Sequence, residues 1–319
     1  MHELINSLFI KEFDNKTLRE KKDSAVLKIG NKKIAFTTDS YVVNPIFFPG
    51  GDIGSLAVYG TVNDLAVCGA KPMYISLGLI IEEGFDRKAL GRITASAKIA
   101  AKKAGVEIVT GDTKVVEKGA CDKIFINTSG LGEIFYPRLS IGLIRPGDAV
   151  LVTGPIGEHA ISILSKREGI DFKTKVLSDS APLNGLVSRV LEVSSNVRFM
   201  RDPTRGGLAT TLNEIVENRP FGIELDEKEI PVSIGVRQAC ELLGFDPLYL
   251  ACEGRAVFVV AEPDAGKVLA AARRDKLGKH AKIIGVVTKE HKGRVYLKTR
   301  AGGKRIVDML SGEQLPRIC

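Results

Sequence analysis

Between Ile53 and Ala70 the chain is proline-free and almost wholly apolar or small, yet one carboxylate, Asp64, stands inside the stretch. The segment is long enough for a buried helix, and Gly69 with Pro72 stops it. An unpaired carboxylate is costly to bury, so any fold must bring Asp64 a strong partner. The 319 residues suffice for two domains, each with its own core. Hydrophobic residues at 44% and charged residues at 26% match a globular chain, which excludes a disordered one and leaves no stretch that would span a membrane.

The net charge of +8 is concentrated: residues 271–319 hold 13 basic and 4 acidic side chains, so the rest is nearly neutral. With no Trp and 6% aromatics there is little from which to build a base-stacking surface, and no nucleic acid partner is expected. Cys68, Cys121, Cys240, Cys252 and Cys319 are odd in number and have no C-x-x-C spacing, which argues against a disulfide framework or structural zinc. With no signal-peptide pattern after Met1, a reduced, cytoplasmic protein is expected.

Ala25–Ile29 and Ile34–Thr38 flank Gly30-Asn31 as a hairpin whose second strand ends on Asp39. Further strands are expected at 73–81, 106–110, 123–130, 149–153, 222–225, 255–261, 282–288 and 294–298. Helices are expected at 86–104, 156–168, 183–192, 207–218, 233–243 and 263–274. Without a regular βαβ rhythm the fold class is α+β. The turn cluster at 144–148 sets a boundary between domains 1–145 and 146–308, followed by a mobile tail, 309–319, carrying Cys319.

Asp39, Asp64, Asp112 and Asp202 all neighbour Gly, Thr, Asn or Pro, and gathered together they would suit Mg²⁺ and phosphate oxygens. Singly, Asp39, Asp112 and Asp202 also read as caps or Asx turns. Pro49-Gly50-Gly51 and Arg205-Gly206-Gly207 run into helices, where glycine serves either anion binding or close packing. The terminal thiol of Cys319 has reach, and Arg317 nearby favours the nucleophilic thiolate.

Several segments together resemble the HypE family of hydrogenase maturation proteins, within the superfamily of aminoimidazole ribonucleotide synthetase and selenophosphate synthetase. They are Thr37-Thr38-Asp39-Ser40, Pro49-Gly50-Gly51-Asp52, Gly60-Thr61-Val62-Asn63-Asp64, Thr110-Gly111-Asp112-Thr113-Lys114, Arg201-Asp202-Pro203-Thr204-Arg205-Gly206-Gly207 and the closing Pro316-Arg317-Ile318-Cys319. The resemblance implies a homodimeric two-domain architecture and ATP-dependent dehydration of a carbamoyl group on Cys319 to S-cyano cysteine. HypF would supply the carbamoyl group, and the HypC–HypD complex would accept the cyanide for nickel–iron hydrogenase.

It further implies Cys319, Glu253 and Lys114 as catalytic residues, and Mg²⁺ held by Asp39, Asp64, Asp112 and Asp202. ATP contacts would come from Thr38, Asp39, Asn63, Asp64, Gly111, Asp112, Thr113, Asp202 and Thr204. An alternative within the superfamily is a synthetase or kinase acting on a free small molecule. Two features depart from the family pattern. The glycine-rich segment that family members carry before the first helix is absent, and Cys252 stands where Asn usually precedes the Glu.

Overall fold

The expected hairpin forms from β1 (Ala25–Ile29) and β2 (Lys32–Tyr41), with Gly30 at φ 58° in the turn. β2 runs two residues past Asp39, so Asp39 is a mid-strand residue and not a strand end. The short pair β3 (Phe47–Phe48) and β4 (Gly51–Asp52) leads into helix α1 (Ile53–Val67), which is buried on nearly every side. β5 (Ala70–Glu82) follows directly, and its register breaks near Pro72, which has no N–H to give the ladder. Helix α2 (Arg87–Ala104) then leads to β6 (Glu107–Val116) and β7 (Ile124–Ile134).

These strands form a five-stranded sheet in the order β1-β2-β7-β5-β6. α1 covers one face and packs in turn against α2. The opposite face is open, and a row formed by Phe36, Leu131 and Tyr74 lies 40–42% exposed across it.

The second half contributes β8 (Ala149–Val152), α3 (Glu158–Glu168), α4 (Asn184–Val193), β9 (Val197–Arg201), α5 (Gly207–Val216), β10 (Gly222–Asp226) and α6 (Ile234–Leu243). It closes with β11 (Val257–Val260), α7 (Glu262–Arg273), β12 (Lys282–Thr288), β13 (Val295–Lys298) and β14 (Lys304–Val307). The seven-stranded sheet has the order β14-β13-β10-β12-β8-β11-β9. One face packs on α5 through Leu208, Leu212 and Ile215, and the other on α4 and α7 through Leu186, Val190 and Val268.

Sequence reasoning missed the two edge strands, β9 and β14. Their Arg and Lys residues hide the apolar alternation, and charge of that kind protects a sheet edge. Basic residues near the end of the chain are partly neutralised, since Lys282, Lys304 and Arg305 pair with Glu229, Glu224 and Asp246. This computed structural model describes residues 8–20, 22–169, 176–312, 315 and 317–319. Among them no helix is long and apolar enough to cross a membrane.

α3 and α6 do not serve their own sheet. Their apolar sides, with Ala160, Ile161, Val236 and Ala239, join Tyr41, Val43, Ile53 and Leu56 of the first half in one core. The two sheets therefore meet across a packed junction, and the candidate site lies there.

Candidate active site at the domain junction

Strand alternation turns Thr37, Asp39 and Tyr41 toward α1, with Thr38 and Ser40 on the open face. Thr37 donates to Asp64 Oδ2 at 2.8 Å, and carboxylate oxygens of Asp23, Asp64 and Asp202 lie within 4.8 Å of one another. Burial, followed by repulsion from Asp202, Asp23 and Asp39, pushes Asp64 well above the usual carboxylate range. Asp202 is likewise pushed up to about 8, first by burial and then by Asp23.

Arg201 is the cation nearest this cluster by its effect, and it is already shared between Asp23 at 3.0 Å and Glu214 at 2.8 Å. The strong partner expected for Asp64 is thus a hydroxyl plus other acids. Acids packed this closely, with Arg201 and Arg205 the cations acting on them among the described residues, fit a hard divalent ion with open positions for phosphate.

Beside the cluster lies Glu253, 3% exposed, whose Oε1 has no hydrogen-bond partner among the described residues. Burial first, then the charges of Asp202, Asp39 and Asp179, hold its carboxyl well above the ordinary value. Its loop is fixed from behind, because Asp179 accepts the Glu253 and Gly254 N–H groups at 3.2 and 3.3 Å. Arg255 lies against Asp179 and bonds Glu158 at 2.7 Å. Cys252, the departure from the family pattern, makes the local bond with sulfur: Gly157 N–H donates to Sγ at 3.2 Å.

The end of the chain returns to this place. Val42 N–H donates to a main-chain carboxylate oxygen of Cys319, and Asn44 N–H to the carbonyl oxygen of Arg317, both at 3.2 Å. The Cys319 thiol is pushed up by burial and then by the charges of Glu253 and Asp39, with Arg205 acting in the opposite direction. A thiol in that setting is held neutral, so Arg317 does not supply the activation expected of it. Arg317 is occupied elsewhere, with Val42 O at 3.0 Å and Asp122 at 2.8 Å.

Not every expected residue joins the cluster. Gly111, Asp112, Thr113 and Lys114 lie within β6, an exposed edge strand, and not in a turn. Asp112 pairs with Lys114 at 2.9 Å, and that ion pair holds its carboxyl low. Three strand spacings separate β6 from β2, roughly 14 Å, so Asp112 cannot share an ion with this chain's Asp39 or Asp64.

Thr38 also faces away, bonding Thr128 O at 3.0 Å. Asn63, expected at the nucleotide, instead bonds the Ala181 and Glu253 carbonyls at 3.1 Å and the Leu183 N–H at 2.8 Å. Its amide aligns the two halves. The helix start after Pro49-Gly50-Gly51 holds the protein's own anion, because Asp52 accepts the Gly54 and Ser55 N–H groups. Gly50 serves close approach, with Ser178 N only 2.7 Å from where a Cβ would stand. Thr204 sits at the entry to α5, its carbonyl accepting Gly207 N–H at 2.9 Å.

Sequence reasoning missed Asp23, Asp179, His159, Arg167 and Arg205 as site residues. Asp23 and Asp179 carried no pattern signal, since each is one acid in a polar stretch. Arg205 lay inside a quoted motif but had been read for its glycines.

Family models for AIR synthase related proteins match both halves: the N-terminal domain over residues 21–134 and the C-terminal domain over 145–298. Fold and site together therefore define an AIR synthase related protein. Carbamoyl dehydratase HypE of Cupriavidus necator is 52% identical over 99% of this chain and 91% of its own length. A crystal structure of a HypE–HypF complex matches at TM-score 0.91 and 47% identity, covering 96% of this chain and 99% of that one. HypE crystallised with ATP matches at TM-score 0.87 and 50% identity, covering 100% and 96%. The chain belongs to the HypE family.

Proposed function

We propose that this protein is a HypE-type carbamoyl dehydratase that acts in hydrogenase maturation, converting S-carbamoyl Cys319 to S-cyano Cys319 with ATP as a substrate. The single observation that carries the reading is the placement of Cys319 against the junction core that contains Ala251, two residues before Glu253, a buried carboxyl with one oxygen unpartnered. A group bonded to that sulfur would lie near a proton acceptor that is itself buried.

An amide oxygen is a poor leaving group, and phosphate ester formation at that oxygen makes it a good one. The carboxamide nitrogen then loses two protons and the C–O bond breaks with departure of phosphate, leaving C≡N on sulfur. Glu253 is the base for nitrogen, held in place by Asp179. A base must be ionised to act, so the reaction needs the surrounding negative charge offset.

Asp23, Asp64 and Asp202, with Asp39 beside them, would hold Mg²⁺. Bound there, Mg²⁺ would neutralise phosphate charge and lower the pKa values of these acids. Arg205, opposing the acids around Cys319, suits the developing oxygen charge.

The open sheet face with its Phe36–Leu131–Tyr74 row, bordered by exposed β6, suits a second copy of the chain, and we assign the homodimer contact there. Thr38, Gly111, Asp112, Thr113 and Lys114 lie on or beside that face and would meet nucleotide across the interface. HypF as carbamoyl donor and HypC–HypD as cyanide acceptor complete the scheme, classed as a lyase of the cytoplasm. All five cysteines are free, as a reducing compartment requires.

Mass spectrometry of the C-terminal peptide tests the reading, after incubation with HypF, carbamoyl phosphate, ATP and Mg²⁺. The expected result is gain of CN with loss of the thiol hydrogen on Cys319. Active protein with an unmodified tail would favour the alternative, a kinase or synthetase for a free small molecule.

A further inference from the structure

We infer that His159 and Arg167, two residues on one face of α3, form a latch that reads the main chain of the last three residues and sets the Cys319 sulfur in register with Glu253. The inference rests on the proposed function for its purpose and on hydrogen bonds alone for its geometry.

His159 is fully buried, and its Nε2 lies 2.9 Å from the Ile318 carbonyl oxygen. A carbonyl only accepts, so Nε2 carries the hydrogen, and burial keeps the ring neutral. Nδ1 is then the acceptor for the Ser178 hydroxyl at 2.8 Å, and Ser178 Oγ in turn accepts Ser180 N–H at 3.1 Å. Phe48 meets the ring edge-on at a centroid distance of 5.4 Å. Tautomer and ring plane are both fixed, with the one free donor aimed at the tail.

Two turns further along the same helix, Arg167 donates to the Arg317 carbonyl oxygen at 2.8 Å and to the Asn44 carbonyl through Nε, also at 2.8 Å. From the other side, the Val42 and Asn44 N–H groups donate to the Cys319 carboxylate and the Arg317 carbonyl. Main-chain oxygens of three consecutive residues, the carbonyls of 317 and 318 and a carboxylate oxygen of Cys319, are therefore each bound by a donor, and His159 among these donors is fully buried.

Side chains anchor the same frame. Ile318 is 8% exposed within the junction core, and Arg317 reaches Val42 O and Asp122. Arg317 adopts φ 56°, in the left-handed region that a non-glycine residue enters only when its surroundings hold it there. With each of these oxygens assigned a donor, the seat fixes how far the sulfur lies from the last anchored residue. It measures chain length from Ile318 to the terminus and is a positioning device, distinct from the group that takes the proton.

The test is the alkylation rate of Cys319 by iodoacetamide in the full-length protein without ATP or carbamoyl donor, read on the C-terminal peptide. His159→Phe keeps an aromatic ring and removes the donor. Ile318→Gly removes the anchor from the tail side, and its melting temperature checks that the domains stay folded. Each should raise the rate about tenfold, and His159→Gln, which restores an N–H at the Nε2 position, should return it most of the way. One glycine added after Cys319 should lower cyanide formation while leaving ATP binding unchanged.

Rates within twofold of the parent for both His159→Phe and Ile318→Gly would overturn the latch, whatever the outcome for dehydration. If both rates rise but the parent forms no S-cyano product, the latch stands and the proposed reaction falls.

Discussion

Two regions meet at the junction, and they treat polar groups in opposite ways. In the tail seat, main-chain oxygens of 317–319 each receive a donor, and Arg317 and His159 are both satisfied. In the acid cluster at the same junction, Asp23, Asp64, Asp202, Asp39 and Glu253 repel one another with Arg201 and Arg205 as the cations that oppose them. Satisfied groups hold geometry. Unsatisfied ones store electrostatic cost that a bound cation and a reacting group would relieve. The contrast separates residues proposed to place the thiol from residues proposed to act on it.

The largest expected effect comes from Glu253→Gln, which keeps shape and removes the base. Formation of the S-cyano product should fall roughly 10²- to 10⁴-fold, with ATP binding retained. Full activity in this variant would remove Glu253 from the chemistry and merge the two regions into one structural unit. Next, Asp64→Asn relieves repulsion and so should raise the melting temperature in metal-free buffer. At the same time it should cut Mg²⁺-dependent turnover by roughly 10²-fold. A variant that is both less stable and still active would mean the cluster is a structural network and no cation site.

Asn63→Ala probes the link between the halves. It strands the Ala181 carbonyl and the Leu183 N–H, while the Glu253 carbonyl keeps the Ala181 N–H, and chemical denaturation should show a loss of about 2–3 kcal/mol. A loss near zero would show that the junction does not depend on this amide.

The smallest effect is a pH dependence of stability. Asp202 binds its proton more tightly folded, at about 8, than unfolded, where an aspartate titrates at about 4. Its contribution is therefore complete below the unfolded value and lost as pH rises toward 8. In metal-free buffer the melting temperature should decline from pH 5 to pH 8, and Mg²⁺ should flatten that slope. A melting temperature rising with pH over this window would contradict the direction assigned to the cluster.

Much of this was legible in the chain. Asp64 inside an apolar helix announced a buried charge, and the Asp39 and Asp202 motifs supplied neighbours for it. The terminal cysteine marked the thiol that the proposed reaction uses. Periodicity failed at β9 and β14, where edge charges obscured it, and at β6, where Gly111-Asp112 resembled a turn but continues a strand. Asp112 was grouped with the others by residue type, yet strand order sets it apart, because three ladder spacings intervene. Asn63 was read as a nucleotide contact, while its three bonds join the two halves of the chain.

The sequence alone determined which groups are chemically able to act: the acids, the thiol, and the helix that must bury Asp64. Tertiary structure decided which of them meet. A carboxylate's role depends on the distance and sign of charges contributed by segments far along the chain, and no local pattern encodes those. Asp23 entered the cluster because the adjacent Ser24 bonds the Asp64 carbonyl and the Cys68 sulfur at the end of α1, and Cys319 came to the junction because α3 donates to main-chain oxygens at the far end of the chain. Hydrogen bonds of fixed direction and the packing of two sheets across one core made those choices.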